Sequence, residues 1–425
     1  MKTKAQKHIL KNGLRVILAP RPEALATNVM VLVEAGSKYE TKEIGGLSHF
    51  LEHLCFKGTK KRPKPMDVSR DLDGLGASYN AFTSQEYTGY YATVAPKKTL
   101  EALELVADLY LNPILPPAEI EKEKGVIIEE MNMYEDMPQR DVQDLIMELM
   151  YQDQPAGWKI IGTKEIIRKM KREEILAYRT KHYVAEATTV VVAGNFAPAK
   201  VLKAIEKEFK SLRQAPKGEK LAVEEKQTKP ASMVKTKQSD QTHFVIGLRG
   251  RPLGDKKEGV LAVLAGVLGG GMSSRLWRRV REELGAAYYV GASHDAYTDH
   301  GIFQIYAGAD TKRIQEIIKV ALVECEKLKK ELVPVAELRR VKDAMTGRMF
   351  LGLESSSSLG QFYGFQELLE GKVREPSQFA RAIEKVTASE VRELAREIFL
   401  QNQLNLAVIG PFAGKAPFVD VLRLK

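Results

Sequence analysis

Residues 172–196, REEILAYRTKHYVAEATTVVVAGNF, carry the pattern that decides the fold. They predict an amphipathic helix, a short turn and a buried strand that ends in Gly-x-Phe. Residues 388–412, ASEVRELAREIFLQNQLNLAVIGPF, have the same pattern at a constant offset, so that Gly194 corresponds to Gly410. A segment that recurs in this way predicts that one structural plan is used twice.

Two further pairs of segments repeat in the same order along the chain. GLSHFLEHL, which begins at Gly46, pairs with GMSSRLWRR, which begins at Gly271. LGASYNA, from Leu75, pairs with LGAAYYV, from Leu284. Three matches in one order predict two homologous halves.

A polar segment separates the two halves. Residues 213–232 contain two prolines and have neither helical nor strand periodicity, which predicts a linker. The expected domains are therefore residues 1–212 and residues 233–425. Each opens with strand-like stretches, such as NVMVLVEAG and THFVIGLRG, and continues with helical ones. This mixture predicts the α+β class, with two homologous α/β sandwich domains of mostly antiparallel sheet packed with helices, in a clamshell arrangement.

Composition limits the cellular setting that we expect. The 425 residues are 44% hydrophobic and 28% charged, as in globular proteins. There is no apolar run of about 18 residues, which would be needed to span a membrane, and no signal-like start. The only cysteines are Cys55 and Cys325. Two cysteines exclude a disulfide framework, so we expect a cytoplasmic protein with no membrane partner.

The formal net charge of +10 raises the question of an anionic partner. Lysines and arginines alternate with acidic residues along the helical stretches, which is typical of a solvated surface. No long basic block and no aromatic nucleic-acid-binding motif accompanies the charge. We therefore expect no nucleic-acid partner.

The stretch GLSHFLEHLCFKGT has helical character and holds three residues with metal-site spacing. His49 and His53 are four apart, so on a helix they lie one turn apart on the same face and can converge on one ion. Glu52 lies beside them and can reach a metal-bound water as a general base. A catalytic zinc site requires three protein ligands and an open position. Because helical histidines are commonly ordinary surface or core residues, the interpretation depends on a third ligand.

A second helical stretch, residues 116–138, supplies that ligand. Glu123 and Glu130 flank its apolar stripe on the same side, whereas Glu129 falls nearly opposite and should face solvent. Glu130 is therefore the expected inward ligand. Glu123 is expected to orient a ligating histidine by a hydrogen bond. Without the histidine pair, a plain solvated helix face would be the preferred interpretation.

These two stretches resemble the M16 (pitrilysin/insulysin) metallopeptidases, which include the mitochondrial processing peptidase β-subunit. The residues that carry the resemblance are HFLEHLCFKGT at 49–59 and EKEKGVIIEEM at 121–131. The 76 residues between His53 and Glu130 match the spacing to the family's glutamate. The resemblance implies one Zn²⁺ per chain, with a general base at Glu52 and a supporting carboxylate at Glu123. It implies that the metal ligands are His49, His53 and Glu130.

The resemblance also implies a substrate-binding strand. In the family, an Asn-Ala pair borders the cleft where an extended peptide adds to a sheet edge, and Asn80 and Ala81 match it. Pairing through the backbone tolerates varied side chains, so we expect broad peptide specificity. An ordinary sheet strand is the alternative for either residue.

The second half carries no metal ligands, because the repeat places Ser274, Trp277 and Arg278 opposite the three motif residues. Here the resemblance implies an arginine and a tyrosine that contact substrate and stabilise the oxyanion. Arg281 and Tyr288 match that pattern. Their neighbours, Arg279 and Tyr289, stay open as alternatives, and so does a structural role as a surface charge and a packed strand residue.

The chain is thus interpreted as a zinc metalloendopeptidase that cleaves unstructured peptides held as an added strand. At this length it resembles the smaller prokaryotic members of the family, so we expect a homodimer that encloses a chamber. A site-specific processing protease is the alternative among enzymes. A non-catalytic scaffold or binding subunit is the alternative outside enzymes.

Overall fold

The computed structural model describes residues 4–414, 418 and 420–424, and these residues form two sheets with surrounding helices. None of the helices in this described part is both long and apolar enough to cross a membrane. The strands are β1 (Gln6–Ile9), β2 (Arg15–Pro20), β3 (Thr27–Val33), β4 (Ser78–Thr83), β5 (Thr88–Val94), β6 (Thr188–Gly194), β7 (Ala231–Thr236), β8 (Gln241–Arg249), β9 (Ala287–Ala296), β10 (Gly301–Asp310) and β11 (Asn405–Gly410).

The helices connect and cover these strands. They are α1 (Leu47–Cys55), α2 (Asp67–Gly74), α3 (Thr99–Leu111), α4 (Pro117–Glu135), α5 (Pro138–Tyr151), α6 (Lys164–Lys169), α7 (Arg172–His182), α8 (Pro198–Glu208), α9 (Glu258–Gly269), α10 (Ile314–Lys330), α11 (Val335–Gly352), α12 (Ser356–Glu370), α13 (Pro376–Lys385) and α14 (Ala388–Ile398). A π-helical segment, Trp277–Glu283, precedes β9.

The two sheets repeat one strand order. The first is β1-β2-β6-β3-β5-β4 and the second is β7-β11-β8-β10-β9. In each sheet one pair is parallel, β2 with β6 and β7 with β11, and all other neighbours are antiparallel. The second order equals the first without β1, which is the topology expected of two homologous halves.

The central strands are buried throughout and mostly apolar because helices cover both of their faces. Every residue of β3 (TNVMVLV) and of β6 (TTVVVAG) is buried. A strand with one solvated face would instead alternate between apolar and polar residues. The predicted α+β class, with mostly antiparallel sheets packed with helices, is confirmed.

The chain forms two compact units that are discontinuous in sequence. The first comprises Met1–Asn132, Lys159–Leu221 and Phe350–Glu375, and the second contains the remaining segments. Helix α5 belongs to the second unit and α12 to the first, so each unit includes one helix from the opposite half of the sequence. The division of the chain at residues 213–232 stays a prediction, and residues 213–228 form no helix or strand.

Packing explains where these two helices lie. Apolar residues of α5, including Val142 and Ile146, contact Val245 and Ala407 of the second sheet. Helix α12 lies against β3 and β6, and a Cβ atom at its Gly364 would be 2.8 Å from Leu32. Glycine therefore permits the close approach of α12 to the first sheet.

Candidate metal centre

The residue before the helix that carries the histidine pair must be a glycine, because of its backbone conformation and its close contact with a neighbouring carbonyl group. Gly46 precedes α1 with φ 93°, and a Cβ there would lie 2.6 Å from the carbonyl oxygen of Ile161. The carboxylate of Glu40 accepts hydrogen bonds from the N–H groups of Gly46 at 2.7 Å and Ser48 at 2.6 Å. A buried carboxylate thus satisfies two free N–H groups at the start of α1. Burial raises the pKa of Glu40 to about 7, although these hydrogen bonds act to lower it.

The two motif histidines lie side by side on α1, as the four-residue spacing predicts. The ring centroids of His49 and His53 are 4.6 Å apart, with an angle of 58° between the ring planes. Both side chains are mostly buried. The helix therefore directs two imidazoles to one small region.

Glu130 comes to the same region from α4. Its Oε2 atom lies 3.7 Å from Nε2 of His49 and 3.5 Å from Nε2 of His53. The ligand atoms of these three residues all lie within 4.8 Å of one another. Glu129, the neighbour that the helical-face argument excluded, is exposed. Two imidazole nitrogens and one carboxylate oxygen are a donor set that zinc favours in catalytic sites.

A second carboxylate from α4 fixes the orientation of His53. Oε1 of Glu123 lies 2.9 Å from Nδ1 of His53, and its Oε2 lies 2.8 Å from Nζ of Lys57. Burial alone raises the pKa of Glu123, but the hydrogen bonds from His53 and Lys57 outweigh it, so the pKa is below its ordinary value. An ionised carboxylate can only accept, so Nδ1 carries the hydrogen and Nε2 faces Glu130.

The pKa of His53 itself is raised. Burial lowers it, but the hydrogen bond to Glu123 and the negative charges of Glu52 and Glu130 raise it further. The surrounding carboxylates therefore favour a positive charge at this position. These carboxylates would stabilise a divalent cation bound at Nε2 in the same way as they stabilise a proton there.

The remaining motif residue, Glu52, is buried beside the pair, with 8% of its surface exposed. Its Oε2 atom accepts a hydrogen bond of 2.5 Å from the hydroxyl of Thr83. Burial raises the pKa of Glu52, while this hydrogen bond and the nearby His53 oppose the shift. A carboxylate held near a metal position with a raised pKa is suited to proton transfer.

Sequence reasoning did not single out Glu40, Lys57 or Thr83. Of these three residues, only Thr83 could have been found from the sequence, through the alternation of faces along a strand. Residues two apart on a strand share a face, so Thr83 points to the same side of β4 as the buried Ala81. The positions of Glu40 and Lys57 relative to their partners depend on the tertiary fold.

The residues expected at the substrate edge lie on β4, which is the last strand of the first sheet. Asn80 is exposed and Ala81 is buried. Among the described strands, β4 pairs only with β5. Its other side is therefore a sheet edge, and the role of that edge in substrate binding stays a prediction.

In the second unit, the structure brings Arg281 and Tyr288 together. The guanidinium of Arg281 donates to the carbonyl oxygens of Ala287 and Tyr288, and the side chain of Tyr288 is 67% exposed. The alternative tyrosine, Tyr289, instead packs against His243, with its hydroxyl 2.8 Å from Nδ1.

The alternative arginine is also engaged elsewhere, because Arg279 forms an ion pair with Glu283. Arg281 lies in the π-helical segment, a distortion that is frequent at functional sites. Tyr288 is more exposed than Tyr289, whereas both arginines have partners within the chain, so the assignment of Arg281 and Tyr288 stays a prediction.

Comparison with known proteins gives matches along most of the chain. Residues 15–164 match the family described as Insulinase (Peptidase family M16), and residues 169–345 match the one described as Peptidase M16 inactive domain. The uncharacterized zinc protease YmxG of Bacillus subtilis is 34% identical, covering 97% of this chain and 99% of that protein. An uncharacterized zinc protease of Mycobacterium leprae is 33% identical, covering 98% and 94% of the two chains.

Two solved structures share the fold. A protease from Helicobacter pylori has a TM-score of 0.90 at 24% identity and covers 96% of this chain and 99% of its own. A Pseudomonas fluorescens protein described as a peptidase M16 inactive domain has a TM-score of 0.88 at 17% identity, covering 97% and 99%. At these identities the likeness concerns the fold.

Proposed function

Because this chain belongs to the M16 peptidase family, we propose that it is a zinc-dependent endopeptidase that hydrolyses unstructured peptides. The observation that carries the proposal is the convergence of His49, His53 and Glu130, with Glu52 buried beside them. Relatives with similar sequences are named zinc proteases. We assign the metal to one site per chain, because the repeat of the motif lacks donors.

The residues present fit a zinc ion. Three ligand atoms converge, and Glu123 turns Nε2 of His53 towards them. When bound, zinc would polarise the scissile carbonyl and make water a stronger acid. Glu52 removes a proton from the attacking water and delivers it to the leaving amine.

Substrate contacts are assigned to two groups of residues. Extended peptide pairs with the free edge of β4 near Asn80 and Ala81, which selects unfolded segments rather than particular side chains. Arg281 and Tyr288 contact the substrate and stabilise the oxyanion through their donor groups. Main-chain pairing and one cationic residue explain a broad specificity for peptides.

The test of this function is the variant Glu52→Gln. Glutamine has nearly the same shape but cannot accept a proton, so zinc should stay bound while cleavage of an unfolded peptide falls by about 10²–10⁴-fold. Glu129→Gln, which changes an exposed glutamate of α4, is the matched control and should keep full activity. If Glu52→Gln cleaves as fast as the unchanged protein, the proposed mechanism is wrong.

The proposal also includes the oligomeric state of the protein and its location in the cell. We assign a cytoplasmic homodimer that encloses the substrate in a chamber, as suggested by the resemblance to small two-domain members of the family. Sedimentation of the active protein checks the dimer, and a fully active monomer would contradict it. Product mapping by mass spectrometry on unrelated peptides checks the breadth of cleavage, because a site-specific processing enzyme would cut once in one substrate only.

A further inference from the structure

The general base proposed above has one hydrogen-bond donor in the described part of the chain, and that donor is Thr83. The distance from its Oγ1 to Oε2 of Glu52 is 2.5 Å. A hydroxyl donates a stronger hydrogen bond to an ionised carboxylate than to a neutral acceptor. One oxygen of the carboxylate is thereby held, and the other oxygen is left for the reaction.

The hairpin that carries Thr83 is held in place by its neighbours. Thr83 ends β4, and the following turn closes with a hydrogen bond from Ser84 N–H to the carbonyl of Tyr87. The carbonyl of Ser84 also accepts from Ser37 N–H, and a Cβ at Gly36 would lie 2.3 Å from that carbonyl oxygen. The turn is therefore packed against the backbone of residues 36–37, which holds the end of β4 and Thr83 in place.

A buried ion pair anchors the same turn. The ammonium of Lys38 lies 3.2 Å from Oε1 of Glu86, and their side chains are 0% and 2% exposed. The N–H of Lys38 also donates to the carbonyl of Gln85. Moving the hairpin would separate these buried charges at a high cost. Because the hairpin is anchored in this way, the Thr83 hydroxyl can hold the Glu52 carboxylate in one rotamer.

We propose that Thr83 is a positioning residue that orients the Glu52 carboxylate for proton transfer. The inference deepens the proposed function and rests on Glu52 being the base. Thr83 lies on β4, the strand whose edge holds Asn80 and Ala81, so the base and the proposed peptide edge are fixed to one strand. A base oriented by a third group is a recurring arrangement in hydrolytic sites.

The experiment compares Thr83→Val with Thr83→Ser. Valine keeps the shape and the β-branching but lacks the hydroxyl, whereas serine keeps the hydroxyl. We expect Thr83→Val to bind zinc and peptide normally, with unchanged KM, and to lose about 10- to 100-fold in kcat, because a misplaced catalytic group has costs of that order. Thr83→Ser should recover most of the lost kcat. In crystals of Thr83→Val, the Glu52 carboxylate should rotate or occupy more than one rotamer.

Thr93→Val is the matched control. Thr93 is also a partly buried threonine of the first sheet, and its hydroxyl accepts a hydrogen bond of 2.9 Å from Asn28 rather than contacting Glu52. This control should leave kcat unchanged. The proposal is overturned if Thr83→Val keeps kcat within twofold with Glu52 in its original rotamer. Should Thr83→Val stay active while Glu52→Gln is inactive, the positioning role alone is wrong; an active Glu52→Gln would overturn the proposed function itself.

Discussion

Nδ1 of His53 lies 2.9 Å from Oε1 of Glu123, and this single contact decides which ring nitrogen faces Glu130. The same carboxylate accepts from Lys57 through its other oxygen. Glu123 is therefore occupied on both sides, and it cannot turn to serve as a metal ligand without losing two charge-assisted hydrogen bonds. Helix α4 therefore carries two glutamates with different assigned roles: Glu123 orients His53, and Glu130 binds the metal.

Replacement of Glu123 by glutamine should weaken zinc binding. The amide cannot supply the negative charge that makes His53 a better donor, and partners of this kind are worth about 10- to 100-fold in metal affinity. The measurement is a competition titration with a chromogenic chelator. Glu129→Gln on the exposed side of α4 should leave the affinity unchanged. If the two variants bind zinc with equal affinity, Glu123 does not strengthen metal binding through His53.

The buried Glu40 predicts a pH-dependent contribution to stability. Its pKa is raised from 4.5 to about 7, so the folded state holds the proton more tightly than the unfolded state. The contribution is fully present below the unfolded pKa, and it is lost as pH rises through about 7. Between pH 5.5 and pH 8 this group alone should lower the free energy of unfolding by about 2 kcal/mol.

Urea unfolding of Glu40→Gln over the same pH range tests this expectation. The variant should show a shallower fall in unfolding free energy than the unchanged protein, because glutamine does not titrate. Glu43→Gln, at an exposed position on the next turn of chain, should keep the original slope. Parallel slopes for Glu40→Gln and the unchanged protein would mean that Glu40 does not titrate in this window.

Gly36→Ala should destabilise the first unit. The added methyl group would lie 2.3 Å from the carbonyl oxygen of Ser84 and 2.7 Å from that of Gln85, and backbone atoms cannot move aside cheaply. We expect a loss of about 1–3 kcal/mol, as for overpacked sites. Gly347→Ala on α11 is the control, since nothing lies within 4 Å of its Cβ. That change should stabilise its helix by up to about 1 kcal/mol. Thermal unfolding distinguishes the two, and equal transition temperatures would contradict the steric argument.

Local spacing was sufficient to predict the helix with His49 and His53, because 3.6 residues per turn place positions four apart on one face. The same periodicity favoured Glu130 over Glu129, and the structure places Glu130 beside the histidines with Glu129 exposed. The three repeated segments also predicted two halves, and the second sheet repeats the strand order of the first without β1.

Other features could not be predicted from the sequence. An apolar helix face does not specify which sheet it will cover, so the placement of α5 in the second unit and α12 in the first was not predicted. Likewise, the contact of Thr83 with Glu52 joins residues 31 positions apart. Such a contact depends on how β4 packs against α1.

The sequence by itself thus determined the duplicated α+β plan, because segments recur in one order along the chain, and the set of candidate metal ligands, because helical periodicity places them on defined faces. Only the tertiary structure decided which groups surround those ligands. Three contacts show this: Glu40 with the start of α1, Lys57 with Glu123, and Thr83 with Glu52. Neither helical nor strand periodicity relates the two residues of any of these contacts. Their positions follow from packing of separate elements, which brings buried polar groups together where each can satisfy another.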